Sequence, residues 1–120
     1  EPYRANAYVQ KTMSGSFLVK NKYLEQLLEK KGLNNDDIWT SIVAKRGSVM
    51  HLEDLSEHEK DVFKTAIEIN QQWVIEHAAD RQQYICQSQS INIFVPADVN
   101  IKELHNMHML AWKKKLKTLY

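Results

Sequence analysis

Ser90-Ile91-Asn92-Ile93-Phe94-Val95-Pro96 is the stretch on which the fold turns. Its β-branched and aromatic residues read as a buried strand, and Pro96, which offers no N–H to a ladder, terminates it. Asn100-Ile101-Lys102-Glu103 follows and predicts a capping box, in which the first and last side chains bond each other's backbone N–H groups. The helix it opens carries Leu104, His108, Ala111 and Trp112 near one face and runs into Lys113, Lys114 and Lys115. Thr118-Leu119-Tyr120 then reads as extended.

Upstream the pattern is helical. Ser56-x-x-Glu59 is another predicted capping box, opening a run with Val62, Phe63, Ala66 and Ile67 on one side. Periodicity alone could join this run to the next as one long helix; a break is favoured at Asn70, whose side chain can cap the second helix. Its inner face is expected to hold Trp73, Val74, His77 and Ala78, and it ends by about Tyr84. Earlier still, Asn21 caps a helix with Tyr23, Leu24, Leu27 and Leu28 at helical spacing, stopped by Gly32. Asn34 or Asn35 caps the next, where Asp36 and Asp37 suit the positive end of the helix dipole, Ile38, Trp39, Ile42 and Val43 face inward, and Gly47 ends it.

At the other end of the chain Tyr3, Ala5, Ala7 and Val9 alternate with polar residues, which predicts a half-buried strand. Ser14-Gly15-Ser16 reads as a turn and Phe17-Leu18-Val19 as a second extended piece. The sum is an α/β, predominantly helical chain with a few strands far apart in sequence. Two or three short strands make a poor sheet alone. They must pair with one another across helices or with chain beyond these residues, so residues 1–120 read as one segment of a larger α/β unit.

Composition narrows the classes. The chain has 120 residues, 16 Lys+Arg against 15 Asp+Glu, 43% hydrophobic residues, 3 Gly and 2 Pro. That fits one domain with a real core and excludes intrinsic disorder. No apolar run reaches the roughly 18 residues of a membrane span. No leader stands before Glu1, so the chain reads as processed or as cut from something longer. A lone Cys86 excludes an internal disulfide, a thiol-pair redox motif and a structural zinc framework, and points to a reducing, cytoplasmic compartment. From Ile101 to Tyr120 there are five Lys and one Glu, a basic tail on a mildly acidic body.

Few side chains suggest chemistry by themselves. His105 and His108 stand at i, i+3, where two imidazoles can share a metal, but no third ligand lies near. They are read as one buried and one surface histidine. Cys86 is read as a buried small hydrophobe rather than an activated nucleophile. Arg4 either binds an anion or pairs with Glu1. The lysine cluster is read as a solvated helix end, where cations suit the dipole, rather than a direct nucleic-acid site.

The words of the chain, taken in order, resemble a known family. They are Glu1-Pro2-Tyr3-Arg4-Ala5-Asn6, Ser14-Gly15-Ser16-Phe17, Asn21-x-x-Leu24, Gly47-Ser48-Val49, Lys64-Thr65-Ala66-x-Glu68-Ile69, Ala78-Ala79-Asp80-Arg81, Gln87-Ser88-Gln89-Ser90-Ile91-Asn92-Ile93 and Met107-His108-x-x-x-Trp112-Lys113-x-x-Leu116-Lys117-Thr118-Leu119-Tyr120. Over essentially all 120 residues the chain resembles the C-terminal part of the large, catalytic subunit of class I ribonucleotide reductase.

The resemblance implies an enzyme that makes deoxyribonucleotides for DNA synthesis from ribonucleotides, usually diphosphates, by radical chemistry. It implies a ten-stranded α/β barrel of which this is the last third, so that the missing strand partners lie upstream. It places Tyr120 as the first of two adjacent tyrosines that relay a radical toward the active-site cysteine, the second being the next residue. The substrate-phosphate loop, the radical-bearing cysteine with its Glu and Asn neighbours, the redox cysteine pair and the effector region lie outside these residues, and Cys86 matches none of them. The helix from about Ile101 to Lys115 resembles one that helps form the groove for the small subunit's acidic C-terminal tail. On that likeness His108, Ala111, Trp112 and Lys115 are groove-wall candidates, and Lys113 to Lys117 attract the tail; the alternative is that this face packs into the barrel. No cofactor or metal is assigned to this segment, since the family's dimetal, radical-bearing centre belongs to the small subunit. The expected partners are the rest of the large subunit, the small subunit and the ribonucleotide. The 120 residues alone are expected to be inactive. A different class of function, a free-standing helical module that binds an acidic peptide, also fits the apolar helix with its basic rim.

Overall fold

The computed structural model describes residues 2–120. The elements run β1 (Ala7–Thr12), β2 (Gly15–Lys20), α1 (Lys22–Lys30), α2 (Asp36–Ala44), α3 (Glu57–Val62), α4 (Gln71–Gln82) and α5 (Ile101–Lys113), a mixed α/β chain. Its contacts fall into two compact units, Pro2–Ala66 and Ile67–Tyr120.

In the first unit each helix starts where its sequence dictates. Asn21 accepts the N–H of Tyr23 and Asn35 that of Ile38, while Ser56 and Glu59 complete the reciprocal box at α3. The α1 terminus is a Schellman turn: Gly32 is left-handed at φ +69°, its N–H bonds Glu29 and the N–H of Leu33 bonds Leu28. At α2 two consecutive residues are left-handed, Arg46 (φ +57°) and the expected terminator Gly47 (φ +85°). Gly47 has its own requirement, because a Cβ there would stand 2.4 Å from the Ala5 Cβ. Leu24, Leu28, Trp39, Ile42 and Val49 form the buried centre, with Leu52 and Leu55 beside them.

Three expectations fail in this unit. The first strand begins at Ala7, not Tyr3, because the backbone of residues 3–6 is spent elsewhere. Tyr3 O accepts the N–H of Ala66, and Asn6 bonds Gly47 through its N–H and Asn21 through its carbonyl. Only Ala7 of the ribbon is buried, and Val9 is 50% exposed, so this is not a half-buried strand. The turn is the pair Met13-Ser14, closed by the register Thr12↔Gly15. The run through Phe63, Ala66 and Ile67 also does not continue α3. The helix stops at Val62, and Phe63 O takes a bond from the Asn6 amide instead.

In the second unit α4 begins at the expected break, with Asn70 accepting the N–H of Gln72. Its buried face is Gln71, Ile75 and Ala78, however, and Trp73 is 60% exposed. Asn100 caps α5 through Lys102, one residue earlier than the box geometry requires, which leaves Glu103 outside the cap. Residues 90–95 do not form a strand in a sheet of their own. Ile93 donates to Tyr120 O and the N–H of Tyr120 donates to Ile91 O, both at 2.9 Å. Bonds from one residue to both neighbours of Asn92 have the arrangement of a parallel ladder, with α5 as the crossover. Among the described residues no helix is long and apolar enough to cross a membrane.

Candidate functional site

Three layers of bonding fix the backbone of Tyr120. The first is the pair of bonds to Ile91 and Ile93. The second is Thr118, whose hydroxyl donates to Gln89 O at 2.6 Å. Behind it, the Gln89 amide donates to Ala78 O (2.8 Å) and to Gln82 Oε1 (3.0 Å), and accepts from Arg81 (3.2 Å), so the segment before Ile91 is stapled to the end of α4. The third is Lys117, which donates to Cys86 O. At the other end of the extended segment Gln71, 6% exposed, accepts the N–H of Phe94 at 2.9 Å and donates to Ile69 O at 2.7 Å.

These glutamines are the residues that sequence reasoning missed. Gln71 carried a signal: it lies one helical turn before Ile75, where an amphipathic face would hold an apolar side chain. A carboxamide there can both donate and accept, and so can satisfy exposed backbone beside it.

With its backbone held, the Tyr120 side chain is 70% exposed. It borders a small cavity of about 110 Å³ with Ile93, Leu104, Met107, His108 and Leu119. His108 bonds the carbonyl of Leu104 at 2.8 Å through Nδ1. A carbonyl only accepts, so that nitrogen carries a proton and donates.

The remaining docking candidates divide by face. Ala111 is 5% exposed and packs with Ile75 and Met107, on the inner side of α5. Trp112 is 71% exposed, and Lys113 and Lys115 are also on the surface. Lys115 is left-handed at φ +62°, with its N–H on Trp112 O and the N–H of Leu116 on Ala111 O, a Schellman turn that reverses the chain toward Tyr120. Lys114 is engaged otherwise: it meets Glu76 at 2.8 Å, and that bond and charge hold its ammonium above the usual lysine range.

His105 and His108 are both exposed, so the expected division into a buried and a surface histidine fails. No group of three potential metal ligands occurs among the described residues. Cys86 is exposed rather than buried, because it lies in the loop after α4 and not on a packed face. Arg4 is exposed, and its suggested pairing with Glu1 lies outside the described residues.

An extended segment, a helix and a tyrosine bonded back to that segment are compatible with many α/β architectures, and comparison with known proteins says which. The family model described as "Ribonucleotide reductase, barrel domain" matches residues 1–120, and the chain belongs to that family. It is 58% identical over 125 residues to the ribonucleoside-diphosphate reductase large subunit of Invertebrate iridescent virus 6, covering 100% of this chain and 13% of that protein. The large subunit of Invertebrate iridescent virus 3 is 49% identical over 123 residues, with 100% and 20% covered. Among solved structures, the class Id ribonucleotide reductase alpha subunit of Actinobacillus ureae superposes with a TM-score of 0.87 at 43% identity, covering 100% of this chain and 21% of that one. The chain thus spans between 13% and 21% of the length of these relatives.

Proposed function

We propose that these residues serve a ribonucleoside-diphosphate reductase large subunit as the part that closes its ten-stranded barrel and carries one radical-relay tyrosine. The whole enzyme reduces ribonucleotides to deoxyribonucleotides. Tyr120 passes the radical onward because a phenol can lose an electron and a proton together and regain them. The observation that carries this reading is the pairing of Tyr120 with both neighbours of Asn92. A relay needs its donor and acceptor at a fixed separation, and a misplacement of about 1 Å is costly to catalysis. A residue whose backbone is bonded on both sides meets that need.

The outer side of α5 is the docking surface for the acidic tail of the small subunit. Trp112 supplies an apolar wall, His108 a polar neighbour, Lys113 and Lys115 the charge, and Ala111 the packing beneath. The dimetal centre that starts the radical belongs to the small subunit. The 120 residues alone do not turn over substrate, since the thiols and the phosphate loop that the chemistry needs do not occur among them.

Replacing Tyr120 by Phe in the full subunit tests the relay. Turnover should disappear while ribonucleotide binding stays, because phenylalanine keeps the ring and loses the oxidisable O–H. Retained turnover would remove Tyr120 from the path.

A further inference from the structure

The two backbone bonds between Tyr120 and residues 91–93 do not by themselves select a register, because every non-proline residue offers the same N–H and C=O. A slip of one residue would turn the Tyr120 ring to the opposite face, and a slip of two would carry it roughly 6.6 Å along the segment. A side chain has to make the choice. Leu119 packs beside the cluster of Ile75, Met107 and Ala111. That contact opposes a slip of one residue, but apolar packing is non-directional and sets position only loosely. Lys117 donates to Cys86 O through a flexible four-carbon stem, which can follow a small shift. Thr118 is different. Its hydroxyl sits on a short, β-branched side chain with a restricted torsion, and it donates to Gln89 O at 2.6 Å.

The carbonyl it bonds also matters. In a parallel ladder where Tyr120 brackets Asn92, the next pair back along both segments is Thr118 around Ser90, and the carbonyl that falls to Thr118 is that of Gln89. The Thr118 hydroxyl bonds that same carbonyl. A slip would bring another carbonyl to the hydroxyl, one without the ties to α4 that Gln89 has. The Gln89 carboxamide donates to Ala78 O at 2.8 Å and to Gln82 Oε1 at 3.0 Å, and accepts from Arg81 at 3.2 Å. A directed path thus runs from the end of α4, through one carbonyl and one hydroxyl, to the residue two positions before Tyr120.

We infer that Thr118 and Gln89 are positioning residues of the radical relay: Thr118 locks the register that sets where the Tyr120 ring stands, and Gln89 holds the carbonyl that Thr118 grips. This rests on the relay reading of Tyr120 above and adds to it the side chains on which it depends. Neither residue exchanges the electron or the proton. Their loss displaces the ring without touching the ribonucleotide or the small subunit, so it shows in the rate and not in binding.

The test uses the full large subunit with its small subunit. Thr118→Val keeps the branched shape and removes the donor, whereas Thr118→Ser keeps the donor and removes a methyl. Thr118→Val should lower kcat about ten- to a hundredfold, the cost of misplacing a reacting group by about 1 Å. KM for the ribonucleotide and affinity for the small subunit should stay, and Thr118→Ser should return most of the lost rate. A single-turnover measurement beside the steady state keeps a slower later step from masking the loss. Gln89→Glu keeps the acceptor for Arg81 but gives up both donated bonds when ionised. It should lower kcat in the same selective way, and it carries the test if the valine variant does not fold. A native rate in the folded Thr118→Val enzyme overturns the inference. So does a fall in kcat matched by a rise in KM or by weaker small-subunit binding, which would mean general damage, and so does a serine variant no faster than the valine one. Tyr120→Phe is measured alongside. If it still turns over, the relay reading fails and the inference with it; if it is silent while Thr118→Val runs at the native rate, the inference alone fails.

Discussion

Pro2–Ala66 and Ile67–Tyr120 are held together by different means. The first removes Leu24, Leu28, Ile42 and Val49 wholly from water, with Trp39 at 1% exposure; the second wholly buries only Ile75 and Ala78. The second relies more on side-chain amides bonded to backbone, where the first has chiefly Asn6. Gln71, Gln82 and Gln89 bond the loop and the extended segment at Ile69, Ala78, Ile85, Gln87 and Phe94. Apolar burial is non-directional and gains from any neighbour, whereas a hydrogen bond sets a distance and an angle. A region stabilised mainly by packing can be a scaffold. One stabilised by directed bonds holds particular backbone groups in place while leaving Trp73, Tyr84, Trp112 and Tyr120 open to a partner.

The contrast can be broken most directly with two tryptophans. Trp39→Ala should cost about 3–5 kcal/mol, since it empties a packed site, while Trp112→Ala should change stability by no more than about 0.5 kcal/mol. Urea denaturation of both variants decides, and similar losses would deny the difference between the regions. A smaller effect concerns the polar ties. Asn6 is 2% exposed; its amide donates to Gly47 O and Phe63 O and its carbonyl accepts from Asn21. Asn6→Ala should cost about 2–3 kcal/mol through unsatisfied buried groups. Gln89→Ala, at a half-buried site where water can substitute, should cost about 1 kcal/mol. Equal losses would mean that water does not reach the second region's clamps.

Smaller still is the helix end. Lys115→Gly should raise stability by about 1 kcal/mol, because glycine carries no Cβ penalty in the left-handed region. Lys115→Ala should bring no gain, and a gain from alanine would refute strain as the cause.

The smallest expected effect is pH-dependent and belongs to the first region. The Ser41 hydroxyl donates to Ile38 O, so His51 donates to it through Nε2, and the buried Nδ1 has no hydrogen-bond partner among the described residues. Burial, then Lys45 and Lys60, lower the histidine's pKa from its ordinary value. The unfolded chain therefore binds the proton more readily than the folded one. The neutral imidazole's contribution is complete above the unfolded value, roughly 6.5, and is lost as pH falls through the lower folded value. Stability against pH for His51→Gln should be flatter in that window than for the native chain, and an unchanged slope would acquit His51.

Helix starts were legible because a cap is local. Asn21, Asn35, Ser56 and Asn70 act within three residues of themselves, and each bond is present. The face a helix buries is settled by its neighbours. Trp73 looked like core by size, yet α4 turns Gln71 inward because Phe94, 23 positions away, needs an acceptor. Val9 misled in the same way, since alternation marks two faces of a ribbon and not which of them is covered. At the candidate site, the proposal for Tyr120 came from the family likeness. The bonds that hold it were not legible, because they join it to Ile91 and Ile93 across the whole of α5.

Helix ends at Arg46 and Lys115 share a left-handed backbone, but Gly47 beside the first has a further constraint in the Ala5 Cβ at 2.4 Å. The two sites should therefore drift differently under mutation and selection. A saturation library at position 47 would return glycine and little else, and Ala5 would tolerate only glycine in its place. A library at 115 would return glycine and asparagine ahead of the native lysine when screened for folding alone, with lysine regaining rank only when the screen demands an assembled enzyme. The gap between those two rankings would show how far the lysine's charge, rather than its conformation, has been retained for assembly.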